Sequence, residues 1–286
     1  MASTILISWP ENEIPRAWWP VGSVYSDESD SQENAVPRTT MATYAIGDVH
    51  GNIRALEDLL AVLNEELSAA DTVVFLGDII DRGPDSRECI SRILEFKKRC
   101  SAKVVALLGN HEQWMLETYR NPARHSWILG MEGLSTIRSY SEEVAVQIET
   151  ALDELGPRVI TERVSLPYQL FFDSVPSEHM AFLSDLSAYY RTPEAVCVHG
   201  GLDPRQGRVE EQKLECLVWG SEGFPDNYQG TDRVMYGHAD DPVIDGAGWP
   251  HPRIVGRTYG LDTISAGVLT ALRLPDGAVF QSRRWV

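Results

Sequence analysis

The chain has 286 residues, 43% of them hydrophobic and 9% aromatic, with 42 Asp and Glu against 25 Lys and Arg for a formal net charge of −17. That length suits one large α/β domain or two small ones, and the composition is that of a globular chain able to bury a sizeable core. The acidity excludes generic binding to nucleic-acid backbones or anionic lipid, which need cationic patches, and no apolar run of about 18 residues is present to cross a bilayer.

Cys89, Cys100, Cys197 and Cys216 are too scattered for a CxxC pair. Reduced thiols and a cytoplasmic location are therefore expected, and the N-terminus lacks the basic, apolar and small-residue pattern of a secretory signal.

Residues 1–40 read as a mostly disordered extension, because SDESDSQEN (26–34) is polar and Pro10, Pro15, Pro20 and Pro37 interrupt regular structure. This stretch holds six acids and two basic residues, so −4 of the net charge belongs to it. A strand-like run follows directly on Met41, which makes Met41 the expected initiator and 41–286 the working domain.

From residue 42 a pattern repeats. The runs TYAIGD (43–48), VVFLGD (73–78) and VVALLGN (104–110) each end in Gly-Asp or Gly-Asn, placing Asp48, Asp78 and Asn110 at intervals of 30 and 32 residues. That interval is the length of a βαβ unit. The intervening stretches carry helical periodicity, from Ile53 to Leu67 with Leu56, Leu59, Leu60 and Leu63, and from Ser86 to Arg99. Parallel strands joined by crossover helices bind ligands beyond their carboxyl ends, where all three polar residues fall.

Residues 112–190 predict a helical insertion, with helices over 111–120, 126–140, 141–155 and 177–188 and a stop at Gly156-Pro157. Trp114, Trp127, Phe171 and Phe172 read as its local core. The strand-then-polar pattern resumes in AVCVHGG (195–201) and RVMYGH (233–238), with His199 and His238 at strand ends. A hairpin across Pro275-Asp276-Gly277 joins two closing β runs and is expected to supply a second sheet.

Five strand ends thus present Asp48 with His50, Asp78, Asn110 with His111, His199 and His238, each near a glycine and all expected along one sheet edge. This mixed oxygen and nitrogen donor set suits Mn²⁺, Fe or Zn²⁺ better than Ca²⁺ or Mg²⁺. Six donors exceed one tetrahedral zinc, whereas two ions about 3.5–4 Å apart can share a carboxylate and a water. Such a centre is best suited to phosphoester hydrolysis.

GDVHG (47–51), GDIIDRG (77–83), GNHE (109–112), HGG (199–201) and GH (237–238) resemble, in order, the motifs of the calcineurin-like metallophosphoesterases. The DRG extension is similar to the phosphoprotein phosphatase branch, which includes bacterial and phage enzymes; the resemblance spans about 42–283. It implies an α/β sandwich of two mixed sheets flanked by helices. It also implies that Asp48 and His50 hold one metal, Asp78 bridges both, and Asn110, His199 and His238 hold the second, Mn²⁺ being the first choice. His111 would protonate the leaving oxygen, oriented by Asp81, while Arg82 and Asn110 would bind phosphate. Two divalent ions and Arg82 make such a site locally positive inside an acidic shell.

One departure concerns a second phosphate-binding arginine, usual soon after a tryptophan in this family. Here the stretch reads Trp219-Gly220-Ser221-Glu222, leaving Arg208 and Arg233 as candidates. HGG rather than HAG favours a serine/threonine protein phosphatase acting on a phosphorylated protein or small phosphoester. The alternative is a diadenosine tetraphosphate hydrolase. A non-catalytic binding module is disfavoured, since every implied ligand and the acid are present.

Overall fold

The computed structural model describes residues 41–285; the extension expected over 1–40 lies outside them. The first half alternates as expected: β1 (Thr43–Ile46), α1 (Ile53–Glu66), β2 (Thr72–Phe75), α2 (Ser86–Arg99) and β3 (Lys103–Ala106). The leucines predicted to face inward do so, with Leu56, Leu59, Leu60 and Leu63 buried along α1 and the Asn52 side chain capping the Ala55 N–H. α2 buries Cys89, Ile90, Ile93 and Phe96 and ends in Lys97, Lys98 and Arg99, which favour its negative C-terminal pole.

Seven further helices and a strand follow: α3 (Asn110–Arg120), α4 (Ser126–Met131), α5 (Gly133–Tyr140), α6 (Glu142–Leu155), α7 (Arg158–Thr161), α8 (Tyr168–Ser174) and α9 (Ser177–Ser184), then β4 (Tyr189–Arg191). The helix expected over 126–140 is broken at Glu132, which adopts φ 57°. The break lets α5 cross Trp127 closely: a Cβ on Gly133 would sit 2.6 Å from that ring. α7 and α8 lack a sequence prediction. The helix expected to reach 188 stops at Ser184 because Ser187 bonds alongside β3, accepting from the Leu108 N–H at 2.8 Å. Trp127 and Phe171 are fully buried, as local core residues should be.

The remainder comprises β5 (Val196–Val198), α10 (Leu214–Trp219), β6 (Val234–Tyr236), β7 (Val243–Ile244), β8 (Pro250–His251), β9 (Arg253–Val255), β10 (Thr258–Gly260), β11 (Thr270–Leu274) and β12 (Val279–Gln281). Two five-stranded mixed sheets result, ordered β12-β11-β1-β2-β3 and β4-β5-β6-β10-β9. The closing hairpin therefore does not found the second sheet. β11 pairs antiparallel with β1 and extends the first sheet, and the second is built on the parallel pairs β5–β6 and β6–β10.

Period-two alternation decides the layering. Tyr44, Ile46, Val73 and Phe75 face the helices, while Ala45, Val74, Leu76 and Leu272 face Cys197 and Met235 of the other sheet. Val196, Val198, Val234 and Tyr236 turn the opposite way and pack on Leu217 and Val218 of α10. This is the sandwich of two mixed sheets flanked by helices. Among the described residues no helix is long and apolar enough to cross a membrane.

Candidate metal centre at the sheet ends

The carboxyl ends of β1, β2 and β3 meet those of β5 and β6 at one rim, so the site spans two sheets rather than the edge of one. All the strand-end residues named from the sequence converge there. Asp48, His50, Asp78, Asn110, His111 and His199 are buried, and His238 is partly so. His50 Nε2 lies 3.6 Å from Asp78 Oδ2 and 4.0 Å from Asp48 Oδ2. His199 Nε2 lies 3.3 Å from Asp78 Oδ1, on the carboxylate's other side. Two donor groups share Asp78: His50, Asp78 and His111, and Asp78, His199 and His238, with ligand atoms within 4.8 Å in each. Asp48 is outside both groups, its carboxylate accepting the His238 backbone N–H at 3.0 Å and 3.2 Å.

The backbone is strained around this rim. Among the described residues six non-glycine positions have positive φ, and five of them are His50, Asp78, Asp81, Arg82 and His238. Each costs on the order of 1–3 kcal/mol and persists only where neighbours over-determine it. Two glycines admit the carboxylates: a Cβ on Gly109 would lie 2.0 Å from Asp78 Oδ1, and one on Gly237 would lie 2.1 Å from Asp48 Oδ1.

Donor orientation fits cations. His50 and His199 direct Nδ1 to the Ile80 and Leu76 carbonyls, each at 3.0 Å, which leaves their Nε2 lone pairs facing the carboxylates. Buried His50 Nε2 has no hydrogen-bond partner. The Asn110 amide end lies 2.9 Å from His199 Nε2 and 3.0 Å from His238 Nδ1. With the amide oxygen there, acceptors converge without a proton between them, an arrangement that a cation satisfies.

The charges agree. Burial, reinforced by Asp262 and Asp78, raises the Asp48 carboxyl well above the usual carboxylate range. Burial lowers His50 to about 3 and, with the neighbouring His199, His238 to about 4. Burial also opposes charge on Asp78, but His199, His111 and His50 pull it well down. For His111, burial is outweighed by Asp78 and by the bond to Asp81, and its pKa rises. The Arg82 guanidinium acts on Asp48, His50, His238 and Asp262, and among the described residues it has no ion-pair partner.

Two members of the site escaped the sequence reading. Glu112 is completely buried and accepts backbone N–H groups from Gly109, Asp78, Ile79 and Ile80 at 2.8–3.1 Å, thereby holding the strained Asp78 turn. Its only sequence signal is its place in GNHE. Burial and Asp78 raise its carboxyl to about 7. Asp262 is buried behind Asp48 and raised to about 7 by burial and Asp240. It follows β10 in YGLD, a further strand-then-acid run that could have been recognised.

Neither candidate for a second phosphate arginine reaches this rim. Arg233 precedes β6 while His238 follows it, a span of roughly 16 Å along an extended chain. Arg233 lines a separate 710 Å³ cavity with Arg191 and Arg257. Arg208 is 72% exposed and lies 3.5 Å from Glu210.

Two mixed sheets with carboxylate and imidazole donors at their joined ends define a metallohydrolase centre. The family model for the calcineurin-like phosphoesterases matches residues 41–267, and the chain belongs to this family of dinuclear metal-dependent hydrolases. The asymmetrical bis(5'-nucleosyl)-tetraphosphatase of Oceanobacillus iheyensis is 26% identical over 258 residues, covering 81% of this chain and 88% of that one. The symmetrical bis(5'-nucleosyl)-tetraphosphatase of Coxiella burnetii is 38% identical over 187 residues, 65% of this chain and 50% of that one. A solved structure described as a putative diadenosine tetraphosphatase shares the fold, with a TM-score of 0.56 at 20% identity over 87% of this chain and 96% of the other.

Proposed function

We propose that this metallophosphoesterase hydrolyses dinucleoside polyphosphates at the phosphoanhydride chain. What carries the reading is the similarity to bis(5'-nucleosyl)-tetraphosphatases over 81% of the chain, a stretch far longer than the metal-binding motifs. The phosphoprotein preference expected from HGG rests on one glycine and gives way to it.

In this reading Asp48 and His50 would hold one ion, Asn110, His199 and His238 the other, and Asp78, which lies between the two donor groups, would serve both. The donor chemistry favours Mn²⁺. Divalent ions bound there would supply Lewis acidity at the phosphoryl oxygens and lower the pKa of a coordinated water. Arg82, exposed beside the cluster and without an ion-pair partner among the described residues, offers a planar fork to the phosphate chain. His111 Nδ1 is committed to Asp81 Oδ2 at 2.8 Å, so Nε2 is the atom that delivers a proton to the leaving oxygen. The acidic shell repels a polyphosphate at long range, leaving attraction to the centre itself.

The test compares kcat/KM with Mn²⁺ on diadenosine tetraphosphate, p-nitrophenyl phosphate and a phosphoserine protein. Diadenosine tetraphosphate is expected to lead, and a lead by the phosphoprotein would overturn the proposal. Chromatography of the products, two ADP or AMP with ATP, reads the position of the cut.

A further inference from the structure

Asp81 is fully buried and sits in a turn where it and Arg82 have φ of 69° and 63°. Such a turn does not hold a carboxylate still by itself, and one bond to His111 leaves the other lone pairs unclaimed. Those lone pairs are taken by the helical insertion. Trp127 of α4 donates Nε1–H to Asp81 Oδ2 at 2.8 Å, the same oxygen that meets His111 Nδ1. Thr136 of α5 donates its hydroxyl to Asp81 Oδ1 at 2.6 Å.

The network also fixes the backbone. The Asp81 N–H is accepted by Thr136 Oγ1 at 2.9 Å and by Ser86 Oγ at 3.1 Å. Thr136 has one hydroxyl proton, and it is spent on the carboxylate. The 2.9 Å contact between the two hydroxyls is therefore a bond donated by Ser86. Ser86, Thr136 and Trp127 are each fully buried, so water does not substitute for any of these donors. Trp127 is itself pinned, with Gly133 against its ring and the Phe171 ring centroid 5.5 Å away.

We propose that the insertion is a positioning element for the proton donor: Trp127 and Thr136 clamp Asp81 so that His111 presents Nε2 to the leaving group. Neither residue lies in a metal-binding motif, and among the described residues neither hydrogen-bonds a proposed metal ligand. The proposal rests on reading His111 as the acid. Losing one clamp bond frees Asp81 to rotate, and the cost should appear where protonation of the leaving oxygen limits the rate.

The experiment measures kcat for Mn²⁺-loaded wild type, T136V, T136S, W127F and H111N on phenyl phosphate and p-nitrophenyl phosphate, with metal content determined in parallel. T136V preserves side-chain volume, so the outcome does not hinge on W127F, which perturbs the core. T136V and W127F are each expected to lose about tenfold on phenyl phosphate and threefold or less on p-nitrophenyl phosphate, whose leaving group needs little help. Metal content should stay at the wild-type level, and T136S should recover the T136V loss. If H111N is graded in this way but T136V and W127F lose equally on both substrates, or lose nothing, the clamp is refuted alone. Equal losses in H111N refute the acid reading and the clamp with it.

Discussion

Replacing Glu112 with glutamine tests how the strained Asp78 turn is held. In the wild type Glu112 Oε1 accepts from Ile79 and Ile80, while Oε2 accepts from Asp78 and Gly109. A glutamine keeps one acceptor oxygen and turns an NH₂ group toward the other two donors. Two buried backbone N–H groups then lose their partner, at about 1–3 kcal/mol each, or about 3 kcal/mol together when the turn relaxes in part. In a domain of this size that corresponds to a fall in Tm of roughly 6–12 °C. Thermal unfolding at pH 8, where the carboxyl is ionised, reads it directly. The same variant should bind metal more weakly, because Asp78 rides on the loosened turn. A Tm within about 2 °C of wild type would refute the assignment of the turn's strain to Glu112.

Gly109→Ala should abolish metal binding or folding, since its Cβ would lie 2.0 Å from Asp78 Oδ1, whereas Gly246→Ala, with nothing within 4 Å, should retain wild-type Tm and activity. Asp78→Asn should lower the bound metal from two equivalents, read by elemental analysis; an unchanged stoichiometry and rate would exclude a bridging role. Chelation should abolish activity, and Mn²⁺ should restore it more fully than Ca²⁺. His179, held by Tyr140 Oη at 2.7 Å, has its pKa lowered by burial and Arg87, so it takes up a proton less readily when folded than when unfolded. The unfolded chain takes up that proton below its ordinary pKa of 6.5, so this group costs stability as the pH falls through that value. His179→Gln should flatten the dependence of Tm on pH there, and an unaltered slope would contradict it.

The legible part of the site was carried by local grammar. An apolar run of three to five residues that ends at a polar residue, with a glycine beside it, marks the exit of a buried strand, and it located Asp48, Asp78, Asn110, His199 and His238 by number. A related run stands in YGLD at Asp262, but its glycine interrupts the apolar stretch and no histidine or second acid follows. Glu112 carries no such local signature, since its function is to bind backbone N–H groups from a turn 32–34 residues earlier.

Sequence alone determined the crossover units, the donor types and the net charge, because each is a property of short stretches and side-chain chemistry. Tertiary structure decided which sheet each strand joined. The Pro275-Asp276-Gly277 hairpin forms from local turn chemistry, but its place beside β1 depends on a pairing across 220 residues and more. It likewise set Arg233 apart from the metal rim, at the opposite end of β6 from His238. The bonds from Trp127 and Thr136 to Asp81 come from helices whose periodicity announces a core and not what their polar atoms meet. The charge of −17 belongs to the same division: composition supplied the sum, and only the fold gathered Asp48, Asp78 and Asp262 beside Arg82 at one buried rim.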